Sequence, residues 1–282
     1  MKVFLTLIAS LIVIALFTLG AGKIAESLQV SNEVEELFSS TSSIELVNAQ
    51  SEKFKSLPLP VRRYLLTKNI DPTKQIQTMR MKQEGRYKLR FNKEYLDMTA
   101  ELYVDYGDKE FIWFANVTQT KPFFTTVIDN YFKSQGGRAR TKLMAIVRTR
   151  DDIGISVNKA NMLQMLADLM WNPSFLLSSS ISWDSIDDFS ARCTLMDEFT
   201  NVAATFFFDT DNELVRIEAQ RPEGTKEDFK RRLWEVRVLE HGNFDGNILP
   251  YRVEYVYFAG ENEYPYMEIK VNELEYNSRE DF

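Results

Sequence analysis

The chain has 282 residues, 44% of them hydrophobic and 13% aromatic, with 34 basic against 41 acidic side chains and a net charge of −7. That balance argues against a nucleic-acid partner, which requires clustered positive charge. With one His and one Cys, no internal disulfide can form and a zinc site, which draws on several such residues, is not expected. No metal and no cofactor is expected.

Val3–Ala21 is almost wholly apolar, broken by Thr6, Ser10, Thr18 and Gly20. A transmembrane helix needs about 20 such residues, whereas the apolar part of a signal peptide runs to about 7–15. An N-terminal transmembrane helix over residues 1–22 is therefore expected, with a cleaved signal ending at Gly20-Ala21-Gly22 as the alternative. Lys2 and Lys23 flank it almost equally, so the positive-inside count is nearly tied. The expected arrangement is a single-pass membrane protein with its main domain outside the cytoplasm. Residues 23–56 read as a polar linker with weak helical spacing, interrupted by the serine-rich stretch around Ser42.

One β-rich domain is expected over 57–282. Pro60 suits a first helical turn, with Val61, Tyr64 and Leu65 on one face and Asp71-Pro72 as the stop. From Lys74 the apolar period becomes two. Strands are expected over Gln75–Tyr87, Lys88–Val104, Glu110–Val117, Thr125–Phe132 and, after the Gly136-Gly137 turn, Arg138–Arg148. A helix over Asn158–Trp171 carries Met162, Leu163, Leu166, Leu169 and Met170, and Asn172-Pro173 ends it. Strands resume at about Ser190–Met196, Asn201–Asp209, Glu213–Gln220, Phe229–Glu240, Ile248–Phe258 and Tyr264–Tyr276. Asp209-Thr210-Asp211-Asn212, Gly242–Gly246 and Gly260-Glu261-Asn262 supply turns. Short turns between successive strands mean a mostly antiparallel meander. One helix cannot cover a flat sheet of this size, so the sheet should curl around it. The expected fold is α+β: a large curved antiparallel sheet, a half-barrel or open barrel, around one internal helix.

Several motifs then come in a fixed order. They are Leu59-Pro60-x-x-Arg63-Tyr64-Leu65, Gln83-Glu84-Gly85, Phe111-x-Trp113-x-Ala115, Asp129-x-Tyr131, Gly136-Gly137 and Lys142-Leu143. Leu166-Ala167-Asp168-x-x-Trp171-x-Pro173-x-x-Leu176-Leu177, Trp183, Ala191-x-x-Thr194-Leu195, Trp234, His241-Gly242 and Leu249-Pro250 follow. In this order they resemble a bacterial domain-of-unknown-function family, numbered 6544/6920. Asp168 stands where that pattern has Glu, and Gly136-Gly137 replaces a spaced Gly-x-Gly. The resemblance implies no known reaction. The architecture is similar to that of periplasmic lipoprotein-carrier half-barrels, by analogy of fold alone.

No residue set forms a complete catalytic motif. His241 reads as a turn residue. Asp209-x-Asp211-x-Glu213 lacks the later positions of a calcium loop and reads as a hairpin turn. Arg138, Arg140 and Lys142 share one strand face, either a solvated face or a basic rim for anionic headgroups. Glu84 and Asp129 are the candidate polar site, able to do acid–base work if they share a cleft. Trp113, Met162, Met165, Leu166, Met170 and Trp171 are the candidate ligand-binding residues, since Met and aromatic side chains can line an adaptable apolar pocket. The expected function is binding of an apolar or lipidic ligand, or a lipidated partner, by a membrane-tethered half-barrel. The alternatives are an envelope hydrolase using Glu84 or Asp129, and a structural subunit of a membrane complex.

Overall fold

A computed structural model describes residues 2–39, 42, 44, 52–68, 75–90, 93–120, 122–198, 200–225 and 228–282. The expected stop at Asp71-Pro72 lies outside them. Among the described residues, three helices precede the sheet: α1 (Lys2–Ser39), α2 (Glu52–Lys55) and α3 (Leu59–Thr67). Pro60 stands in the first turn of α3, where Val61, Tyr64 and Leu65 are buried.

Strands β1 (Thr78–Tyr87), β2 (Leu96–Asp105), β3 (Glu110–Thr118), β4 (Phe124–Phe132), β5 (Gly136–Leu143) and β6 (Val147–Ile153) form a first meander. Helix α4 (Ile155–Asp168) follows, continued by 3-10 turns over Leu169–Trp171 and Pro173–Leu177. The second meander is β7 (Ile181–Ser185), β8 (Ser190–Leu195), β9 (Val202–Phe208), β10 (Leu214–Glu223), β11 (Lys230–Phe244), β12 (Asn247–Ala259) and β13 (Asn262–Tyr276). All thirteen strands belong to one antiparallel sheet in the order β6-β5-β4-β3-β2-β1-β13-β12-β11-β10-β9-β8-β7. The β1–β13 pair is thus the seam between the meanders, and β6 and β7 are the free edges. Helix α4 connects those edges through the concave side, so the helix inside the sheet is also the link between its two halves. It is largely buried, polar Asn161 and Asp168 included, as a helix enclosed by a sheet must be.

Four expectations about the strands change. Of the described residues in Lys88–Val104, only those from Leu96 are strand, and β7 (Ile181–Ser185) is a strand where none is expected. The run Arg138–Arg148 is two strands, β5 and β6, with Met144 and Ala145 at the hairpin tip, both at positive φ. Neither is a residue that usually signals such a turn. His241 lies within β11 rather than in a turn, paired with Pro250, its Nε2 3.2 Å from the Leu214 carbonyl oxygen. Asp209 does form a turn: its Oδ1 accepts from the Asp211 and Glu213 backbone N–H groups.

The N-terminal region differs most. Among the described residues, no helix is long and apolar enough to cross a membrane. The expected span over 1–22 is instead the first part of α1, which runs on to Ser39. Residues 23–39, expected as linker, continue that helix because they have a surface to cover. Val30, Val34, Leu37 and Phe38 pack on Tyr103, Ile112, Ile128 and Phe132 of the convex face. Glu33 takes both terminal nitrogens of Arg140 at 2.6 and 2.5 Å, and Glu26 pairs with Lys142 at 3.2 Å. The basic stripe on β5 is therefore met by the chain's own acids, Arg138 pairing with Asp151 of β6 at 2.6 Å. Ahead of this contact, Val3, Phe4, Leu5, Leu7, Leu11, Val13, Ile14 and Phe17 are exposed.

A candidate ligand-binding cavity inside the half-barrel

Alternation places Met79, Met81 and Gln83 of β1 on the concave side and Arg80, Lys82 and Glu84 on the other. Glu84 is therefore on the outer surface, where Asn272 and Lys270 hydrogen-bond its carboxylate and hold its pKa below the ordinary range. Asp129 points the other way. It pairs across β3–β4 with Trp113 and across β4–β5 with Ala139, and all three line a cavity of about 650 Å³. The two candidate carboxylates lie on opposite faces of the sheet and cannot act together.

The cavity lies between the concave sheet and α4. Trp113, Val127, Asp129, Ala139 and Thr141 form one wall; Tyr255, Tyr257, Tyr266, Met267 and Ile269 form another; Ala160, Asn161, Gln164 and Asp168 of α4 form the roof. Arg150 enters from β6 and Arg221 from β10. Of the expected ligand-binding residues, Trp113 lines this space. Met162, Met165, Leu166, Met170 and Trp171 are buried in the core and do not line it. Helical spacing marks a buried side but cannot say which buried positions face a void.

The lining is more polar than an apolar half-barrel would have. Asp129 Oδ1 is buried with no hydrogen-bond partner among the described residues. Burial raises its pKa against the opposing pull of Arg150 and Arg221. Burial also raises Asp168, to about 7, although Gln164 and Arg221 favour its charge; Gln164 Nε2 donates to it at 2.9 Å. Burial works against the charge of Arg221, but Tyr257, Tyr266 and Asp129 favour it. Its Nε donates to the Ala160 carbonyl at 3.1 Å, an Nη donates to the Tyr257 hydroxyl, and the guanidinium lies 5.0 Å from the Trp234 ring centroid. Arg150 donates to Asp152 at 2.7 Å. Trp113 Nε1 donates to Gln83 at 3.0 Å. Two partly buried cations, two acids of raised pKa and a tyrosine wall thus share one space with apolar surface. Sequence reasoning did not place Arg150, Arg221 or Asp168 in the site, although Asp168 stands in one of the ordered motifs. The available signals were charges at apolar positions of the period: Asp168 in a greasy helix and Arg221 two residues after Ala219.

A family described as "Family of unknown function (DUF6544)" matches residues 47–269. A search of curated proteins finds no match. Among solved structures, the chain is similar to a DUF1329 family protein from Desulfovibrio piger (12% identity, TM-score 0.43, covering 79% of this chain and 94% of that one). It is also similar to a LolA superfamily protein from Nitrosomonas europaea (9%, 0.39, 78% and 92%). A third is a putative outer membrane lipoprotein-sorting protein domain from Vibrio parahaemolyticus (11%, 0.41, 71% and 86%).

Proposed function

We propose that this chain, which belongs to the DUF6544 family of unknown function, is a binding protein for an amphipathic, lipid-like molecule held in the cavity of its half-barrel. The observation that carries the reading is the unpartnered Asp129 Oδ1, set among mixed polar and apolar walls in a space of about 650 Å³. That volume suits one small ligand. A buried polar oxygen without a partner is costly, and a ligand that supplies a donor there removes the cost. A purely apolar ligand would not. The apolar body of the ligand would lie along Trp113, Val127, Met267 and Ile269, and its polar end would meet Asp129 and Arg221.

Trp113 is a built-in reporter. A brominated fatty acid in the cavity should quench its fluorescence, and Trp113→Phe should remove most of the quenching. Thr141→Trp, which fills the cavity from β5, should weaken binding at least tenfold. If quenching is unaffected by both substitutions, the cavity is not the binding site and the proposal fails.

Acid–base chemistry is a second reading. It is favoured by one observation: Asp129 and Asp168 line the same cavity and burial raises both. It requires that Asp129→Asn or Asp168→Asn abolish conversion of a bound molecule while leaving its binding intact.

A further inference from the structure

We infer that the open end of the half-barrel is a lipid-docking surface, so that the cavity loads directly from a bilayer; this rests on the ligand reading above. The sheet register defines that end. The β1–β2, β3–β4, β5–β6 and β10–β11 connections all lie there, as the pairs Tyr87–Leu96, Thr118–Phe124, Leu143–Val147 and Glu223–Lys230 show. The cavity reaches the same end, where Leu89, Gln119, Leu143, Thr149 and Phe229 line it.

Helix α1 leaves the domain at this end. Its contacts move steadily along the convex face, from Glu36 at Gln135, through Glu33 at Asn130 and Glu26 at Thr126, to Lys23 above the Phe124 ring. Gly22 then passes so close to the β5–β6 turn that a Cβ on it would lie 2.6 Å from Ile146 Cγ1. Beyond this point α1 carries the uncharged run back to Val3, most of it exposed. At about 1.5 Å per residue, such a run reaches about 20 Å or more past the rim. Such a surface is stable where water is absent.

The rim beside that exit is apolar too. Phe123 is 54% exposed, Ile146 42% and Val147 56%, on the two turns that flank α1. Lys23 stands at the same level and is the first charge after the run, as at a membrane–water boundary where a long basic side chain reaches back to water. With the exposed side of this run lying against a bilayer as far as Lys23, Phe123, Ile146 and Val147 come to the same surface, and the cavity mouth opens toward the lipid. Ile153 is as exposed, but it sits at the other end of β6, beside Arg138.

The test uses the full chain with an environment-sensitive fluorophore on a cysteine placed by Phe123→Cys, Val147→Cys or Ile153→Cys; the native Cys193 is buried. The chain is added to vesicles of equimolar phosphatidylcholine and phosphatidylglycerol. The labels at 123 and 147 should brighten at least threefold and be quenched by spin-labelled lipid, while the label at 153 stays in water. If the rim labels stay in water, or all three respond alike, the docking surface is overturned. Trp113 quenching by brominated fatty acid in detergent is read in parallel. Quenching with the rim labels in water overturns the orientation and leaves the binding reading standing. Rim labels in lipid without quenching would uphold the surface and overturn the ligand.

Discussion

Asp168 sits at the end of a helix with a carboxyl that burial alone would neutralise. It keeps its proton to about pH 7 in the folded chain but only to about pH 4 in an unfolded one. Between those limits the folded state binds more protons, so stability must fall as pH rises and then level off. Asp168→Asn keeps an acceptor for Gln164 and has nothing to ionise. It should therefore match the parent near pH 4 and exceed it at pH 8, by up to about 4 kcal/mol. Urea unfolding across that range measures the difference; parallel curves would mean that Asp168 ionises freely. At this scale the sequence was partly readable. Asp129 was legible as a polar residue on the inner side of a strand, because Val127 and Tyr131 share its face. Glu84 was not, because the motif Gln83-Glu84-Gly85 puts residues from both faces side by side. Arg221 could not be recognised, since its partners Ala160 and Tyr257 are 61 and 36 positions away.

Gly85, in the middle of the motif, explains itself at the level of elements. A Cβ there would lie 1.9 Å from the Glu268 carbonyl oxygen on β13. The backbones approach this closely just beyond the register shift between Lys82 and Gln83, and among the described residues β1–β13 is the strand pair that joins the two meanders. Gly85→Ala must push the seam apart and should cost at least about 2 kcal/mol, read as a lower urea midpoint. An unchanged midpoint would show that the seam gives way freely. Helix α4 is the other element that spans both halves. Leu166 is fully buried on it, so Leu166→Ala should cost about 2–5 kcal/mol; a loss under about 0.5 kcal/mol would place the residue outside the core. The helix was legible from its apolar spacing, and so was most of the strand series; the short edge strand β7 (Ile181–Ser185) was not. The hairpin at Met144-Ala145 was not, because its positive-φ residues are held by their surroundings rather than chosen for that conformation.

For the molecule as a whole, the curled antiparallel sheet around one helix followed from arithmetic: strands in series, short turns and too little helix to cover a flat surface. The place of α1 did not follow. Its glutamates and the β5 cations are about a hundred positions apart in sequence, and each group alone reads as a solvated face. Together they make α1 a strap over the convex side, and this changes what truncation does. A linker could be removed to residue 50 without harm. A strap cannot. Removing it uncovers Tyr103, Ile112, Ile128 and Phe132 and gives up the burial of Val30, Val34, Leu37 and Phe38. At about 1.5–3 kcal/mol for each buried side chain, less the entropy of ordering a helix, the net loss should be on the order of 3–5 kcal/mol. A chain starting at Lys23 retains the strap and should unfold at nearly the same urea concentration as the full chain. A chain starting near residue 50 should unfold much earlier, bind an apolar dye on the uncovered face and self-associate. Equal midpoints for the two truncations would show that α1 merely rests on the sheet, and its ion pairs with Arg140 and Lys142 would then contribute nothing to holding the fold.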